Sequence, residues 1–103
     1  MSRGYHTRWE IPDEHRVDPA YIEAGDAIAF GQAVYDRRKE LGISQVELAR
    51  RAQMTQPQIS RLEGGGTVPT IALLHRLATA LESTLAISLT GDETSVVFRA
   101  NAA

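Results

Sequence analysis

The 103-residue chain has no cysteine, which removes disulfide frameworks, thiolate metal sites and cysteine nucleophiles together and fits a reducing cytoplasm. It also lacks any long apolar run. Nothing approaches the roughly 18 consecutive apolar residues of a membrane span, and Met1-Ser2-Arg3-Gly4-Tyr5-His6 does not open a signal peptide, so a soluble protein is expected. No internal repeat or low-complexity tract is visible. Finally, the chain lacks the net positive charge of a typical nucleic-acid binder: the formal charge is -2.

That last absence disappears when the chain is divided. Residues 31 to 81 carry seven basic side chains against four acidic ones, a local +3, whereas residues 1 to 30 carry three Arg against six acids. Residues 82 to 103 hold one Arg and three acids. Attraction to phosphates follows the local field, so the acidic ends do not exclude DNA. They suggest instead a second partner. The length suits one small domain with appended segments, a size at which dimer formation is a common source of added stability.

Residues 1 to 17 show no clear period and contain Pro12, which predicts an arm, flexible when alone. Asp18 before Pro19 is a good helix start, because the carboxylate accepts an orphan amide and proline fits the first turn. The pattern weakens at Gly25 and resumes with Ala27, Phe30, Val34 and Leu41, consistent with one bent helix or two. Gly42 ends it. Ser44-Gln45-Val46-Glu47 predicts a capping box for a short helix with Val46, Leu48, Ala49 and Ala52 as its apolar positions. Thr55 caps another helix from Gln56 to Glu63, with Pro57 in the first turn, Ile59 and Leu62 inward and Gly64-Gly65-Gly66 stopping it. Thr70 starts a further helix whose Ile71, Leu74, Leu77, Ala78 and Leu81 form one face. Beyond Ser83 the period becomes two: Leu85, Ile87 and Leu89 read as a strand, with Val96 to Phe98 returning across Gly91-Asp92. A two-stranded ribbon is marginal alone, so it should lie on the helices or pair with a symmetry mate.

Two short capped helices joined by Ala52-Gln53-Met54 have the pattern of a helix-turn-helix. At about 100° per residue, Ile59 and Leu62 share one side of the second helix, while Pro57 and Arg61 lie nearly opposite, bordered by Gln56 and Ser60. This exposed stripe is polar and basic. A glutamine can pair its donor and acceptor with adenine, and an arginine can place two donors on guanine, so Gln56, Pro57, Ser60 and Arg61 are the expected base-reading surface. Gln45, Thr55, Gln58, Thr67 and Thr70 sit at helix starts or in the adjoining loop, where phosphates would be held and the protein positioned.

The run Arg38-x-x-x-Gly42-Ile43-Ser44-Gln45-x-Glu47-Leu48-Ala49, followed by Gln56-x-x-Ile59-Ser60-Arg61-Leu62-Glu63-x-Gly65, resembles the Cro/C1-type (XRE) helix-turn-helix family over about residues 30 to 81. The resemblance implies a mainly α, lambda-repressor-like bundle of four to five helices, here with a C-terminal strand or hairpin. It also implies a structural salt bridge between Arg38 and Glu63. Gln53 departs from the family's usual turn glycine, and a glutamine in the left-handed conformation costs roughly 1 kcal/mol. The acidic N-terminal extension, the Pro19 helix and the Leu85 to Thr94 segment further resemble HigA-type antitoxins, which bind their operators as dimers and neutralise a toxin, usually an RNA-cleaving enzyme.

The division expected is therefore residues 1–27 as arm and leading helix, 28–82 as the DNA-binding domain and 83–103 as hairpin and tail. A palindromic double-stranded operator, a homodimer and a ribonuclease-like toxin are the expected partners. The toxin would meet the first segment, with Tyr5, Trp9, Ile11 and Tyr21 as candidate contacts. Dimer contacts are assigned to the fourth helix and Leu85 to Leu89. The competing reading is a stand-alone repressor with no toxin, and a protein-interaction adaptor is a third. No nucleophile-base pair, carboxylate dyad or cofactor loop is discernible, so neither an enzyme nor a cofactor is expected. His6, His15 and His75 lack ligand spacing, so no metal is assigned either. The triple glycine ends a helix instead of opening one and is read as a turn.

Overall fold

A computed structural model describes residues 5–10 and 19–101, with side chains from Glu23 onward. Helix α1 runs Pro19–Leu41, α2 Gln45–Ala52, α3 Gln56–Glu63 and α4 Ile71–Ala80; strand β1 spans Tyr5–Glu10, β2 Ser83–Leu89 and β3 Glu93–Ala100. The bundle with a C-terminal hairpin is thus the observed architecture, with four helices among the described residues. The Asp18 cap lies outside the described residues.

α1 is one continuous helix through Gly25, which is buried. It packs against the sheet along one side and α3 along the other, so it cannot carry a single apolar stripe. Its buried set of Ala27, Ala29, Phe30, Ala33 and Val34 is dominated by small residues that allow this double contact. Gly31 is the extreme case. A Cβ there would lie 2.3 Å from the Leu62 carbonyl oxygen and 2.9 Å from that of Glu63, so α1 and the end of α3 approach as closely as they do because position 31 has no side chain.

The helix punctuation follows from specific hydrogen bonds. Gly42 takes φ +70° beyond α1, and its amide donates to the Lys39 carbonyl at 3.0 Å. Ser44 Oγ accepts from the Glu47 amide at 3.0 Å. Only this forward half of the expected capping box is present. Glu47 turns its carboxylate away to Arg50 and Arg51, because two guanidiniums three and four residues on are stronger partners than one amide. The complete box occurs one helix later: Thr55 Oγ1 accepts from the Gln58 amide at 3.2 Å and Gln58 Oε1 accepts from the Thr55 amide at 2.8 Å. Thr70 caps α4 by accepting from the Leu73 amide at 3.1 Å.

The sheet is antiparallel with order β1-β3-β2. Leu85 stands opposite Phe98 and Ile87 opposite Val96, as the alternation predicts. β1 corrects the expectation for the N-terminal arm: Tyr5 to Glu10 add a third strand along β3, with Tyr5 opposite Phe98, Thr7 opposite Val96 and Trp9 opposite Thr94. This relieves the marginality of a two-stranded ribbon within one chain. Thr94 Oγ1 donates to Asp26 Oδ1, tying β3 to α1. Leu48, Ile59, Leu62, Leu77, Leu81, Val34, Val96 and Phe98 form the centre of one core shared by helices and sheet.

At the turn from α4 to β2, the buried Arg37 donates to the Leu81 carbonyl at 3.0 Å, to Ser83 Oγ at 2.8 Å and to the Glu82 carbonyl at 3.3 Å. These bonds satisfy carbonyls left over at a helix end and hold Glu82 at φ 53°.

Gly31→Ala tests the close approach. Alanine's helix propensity should add about 1 kcal/mol, but overpacking against backbone carbonyls costs about 1–3 kcal/mol or more. Urea denaturation should therefore show a net loss of stability, whereas Gly91→Ala, with nothing within 4 Å of its new Cβ, should change it by less than about 0.5 kcal/mol.

Candidate nucleic-acid interface

The surface of α3 is built outward from an ion pair. Arg38 Nε lies 2.7 Å from Glu63 Oε2 and Nη2 lies 3.0 Å from Oε1, a two-pronged contact between the last turn of α1 and the last residue of α3. The side chains are only 8% and 4% exposed, so this pair sits at the edge of the core and not on the surface. Arg38 also donates to the Ile43 carbonyl at 2.8 Å, fixing the turn into α2. The hydrogen bond to Glu63 holds the Arg38 pKa above its ordinary value against the opposing effect of burial.

The same carboxylate orders the groups in front of it. Glu63 Oε1 accepts from Gln45 Nε2 at 3.1 Å, and Gln45 Oε1 in turn accepts from Gln56 Nε2 at 2.7 Å. The direction of this chain is dictated by chemistry. An ionised carboxylate only accepts, so Gln45 must offer it the amino side of its amide; its oxygen then faces Gln56, which must donate. One hydrogen of the exposed Gln56 amide is thereby used, leaving its second N–H and its carbonyl oxygen without a partner among the described residues.

Around this chain Pro57, Ser60 and Arg61 are exposed on α3. Among the described residues the Arg61 guanidinium has no hydrogen bond or ion pair. Its stem lies beside Gly66, where a Cβ would come within 2.7 Å of Arg61 Cγ. Arg50 and Arg51, by contrast, are engaged by Glu47 at 2.6 and 2.9 Å. Hydrogen bonds from these two hold the Glu47 carboxyl down to about 2.

Gln58 is exposed in the first turn of α3, and Thr55, Thr67 and Thr70 are exposed at its start or in the loop beyond it. The α3 capping box uses only the acceptor of Gln58, leaving its amino group outside the box. Tyr5 and Trp9 fall in β1 and Tyr21 in α1, none of them on α2 or α3; Ile11 lies outside the described residues.

Two positioning residues went unread in the sequence. Arg76, from α4, donates to the Ala52 carbonyl at 2.9 Å and the Gln53 carbonyl at 2.6 Å. Gln53 itself takes φ 58° and ψ 46°, the left-handed conformation its turn position demands. Arg76 thus clamps a turn that lacks the easy residue for it. Nothing in the sequence of α4, where Arg76 follows His75 on the polar side, marks it for this role. Gly31 is the second; only its place in a run of small residues hinted at the close helix contact.

The helix-turn-helix family model matches residues 34–87, more than half of the chain. An uncharacterized HTH-type transcriptional regulator from Methanothermobacter thermautotrophicus is 46% identical over 48 residues, covering 47% of this chain and 70% of that protein. A second uncharacterized HTH-type transcriptional regulator, from Haemophilus influenzae, is 35% identical over 65 residues, covering 63% of this chain and 66% of that protein. The crystal structure of the restriction-modification controller protein C.AhdI from Aeromonas hydrophila aligns with a TM-score of 0.55 at 29% identity, over 57% of this chain and 86% of its own.

Gln53→Gly should remove the left-handed penalty and raise stability by about 1 kcal/mol. In thermal denaturation this corresponds to roughly 4–8 °C for a domain of this size. An unchanged or lower midpoint would mean that the backbone freedom glycine adds to the unfolded chain outweighs the relief of strain.

Proposed function

This chain belongs to the helix-turn-helix family, and we propose that it is a sequence-specific DNA-binding transcriptional regulator that lays α3 in the major groove. The observation that carries this reading is the Glu63–Gln45–Gln56 amide chain. An adenine offers an acceptor at N7 beside a donor at N6 in the major groove, the complement of the N–H and C=O that remain to Gln56. Holding that amide in place before contact reduces the rotamer entropy lost on binding. Arg61, exposed and unpaired among the described residues, supplies a cation one turn along the same stripe. Gln45, Thr55, Gln58, Thr67 and Thr70 flank it as phosphate contacts, and the N-terminal end of α3 adds favourable dipole charge there.

A single α3 contacts too few base pairs to specify a site, so the working unit is a homodimer on a palindrome. Its half-sites are about 34–36 Å apart, or a multiple of that spacing. Bound across a promoter, such a dimer represses.

The finer reading is that the regulator is also an antitoxin, with Tyr5, Trp9, Ile11 and Tyr21 meeting a ribonuclease-like toxin. It is supported by the excess of acid over base in residues 1 to 30, which suits a basic partner. The alternative is a stand-alone repressor. A small basic reading frame adjoining this one favours the antitoxin, and the absence of such a neighbour favours the alternative.

Selection from a randomised duplex pool, followed by binding measurements at several salt concentrations, tests the central reading. Gln56→Ala or Arg61→Ala should each weaken binding to the selected site by about 1–3 kcal/mol and relax preference at one base pair per half-site. No enrichment from the pool by the unaltered chain would refute the reading. An equal loss on every sequence would reassign the altered residue to phosphate contact.

A further inference from the structure

We propose that the exposed edge of β2 is the dimerisation surface, with two copies pairing their β2 strands antiparallel about a two-fold axis at Ile87. The inference rests on the dimeric DNA-binding reading and names the surface that reading requires.

The two edges of the sheet differ in a telling way. β1 reads Tyr5-His6-Thr7-Arg8-Trp9-Glu10 and carries charges of both signs. β2 reads Ser83-Thr84-Leu85-Ala86-Ile87-Ser88-Leu89 and carries none, nor any proline. Edge strands are normally protected from pairing by such residues. β2 lacks that protection at a full seven residues in length, and among the described residues its outer backbone groups have no strand beside them.

The apolar face of β2 is also left uncovered. Leu85, Ile87 and Leu89 alternate with small residues, and exposure on that face grows along the strand to 38% at Ile87 and 66% at Leu89. Beside it runs a groove of about 380 Å³ between β2 and α4, lined by Ile71, Leu74, Ala78, Leu85 and Ile87 together with the polar His75 and Thr84. Ile71 at its rim is 69% exposed. The same face of β3 is closed, with Val96 and Phe98 fully buried.

The occupant is a second copy because the pattern is complementary to itself. With the axis at Ile87, antiparallel pairing sets Ile87 against Ile87 of the partner subunit, Leu85 against the partner's Leu89, and Ala86 against the partner's Ser88. Each apolar residue then meets an apolar one and each small residue a small one. The projecting Leu89 of one copy reaches the groove beside Leu85 of the other, so ridge and groove fill each other twice, as an isologous interface requires. The two sheets become one, and the unprotected edge disappears.

Because the chain has no cysteine, Ile87→Cys provides a clean probe. Facing residues of an antiparallel pair lie within disulfide reach. Oxidation of the full chain without DNA should therefore convert most of this variant to a crosslinked dimer, while Thr67→Cys, in the exposed loop, should not crosslink. Ile87→Lys would place two like charges at the axis and should raise the dimer dissociation constant on the order of a hundredfold or more in analytical ultracentrifugation, with its circular dichroism unchanged. Equal crosslinking of both cysteine variants, a dimer that survives Ile87→Lys, or an unaltered chain that stays monomeric would each overturn the proposal. If Ile87→Lys does not fold, the crosslinking comparison decides alone. Failure of the DNA-binding reading is seen separately. A chain that dimerises through β2 but enriches no duplex keeps the interface and loses the function, and a DNA-binding dimer indifferent to Ile87 does the reverse.

Discussion

The Arg38–Glu63 ion pair is the contact on which the working surface depends. It is enclosed, two-pronged and braced by the Ile43 carbonyl, so neither charge is left without a partner in a place water scarcely reaches. Removing one member of such a pair typically costs about 3–5 kcal/mol. Small domains hold only about 5–15 kcal/mol in all. The pair joins the end of α1 to the end of α3, and through Ile43 it fixes the start of α2. Orientation of the helix that meets DNA is therefore set from behind by charge, as well as by Ile59 and Leu62 packing into the core.

The pair also reaches forward. Glu63 spends one oxygen on both Arg38 and Gln45, and Gln45 passes the constraint to Gln56. Structure and recognition share one carboxylate. The same economy appears at Gly31, where the absence of a Cβ brings Leu62 and Glu63 close enough to α1 for the ion pair to form. Sheet and helices are coupled in turn by Thr94 to Asp26 and by the Arg37 clasp, so the hairpin is tied to the helix that carries Arg38.

Much of this was legible in the sequence because it is local. Ser44, Thr55 and Thr70 announce helix starts through side-chain oxygens that bond three residues ahead. Ile59 and Leu62 declare the buried side of α3 by spacing alone, which leaves Gln56 and Arg61 outward. What was missed depends on distant partners. Arg76 is an ordinary surface arginine until the fold brings the Ala52 and Gln53 carbonyls to it. Glu47 spells a capping box, and only the competition from Arg50 and Arg51 undoes it. Tyr5, Thr7 and Trp9 do alternate with His6, Arg8 and Glu10, but six residues of alternation read as a strand only once β3 is seen alongside.

The most direct test of the account asks whether the amide chain acts as a unit when DNA is bound. A double-mutant cycle with Gln45→Ala and Gln56→Ala, measured on the best duplex selected from a random pool, isolates the coupling between the two side chains. Because Gln45 holds Gln56 in its reading orientation, the account predicts losses that fall short of additivity by about 1 kcal/mol or more. Strict additivity would show that Gln56 meets DNA without Gln45, and would contradict the view that Glu63 governs recognition from inside the fold.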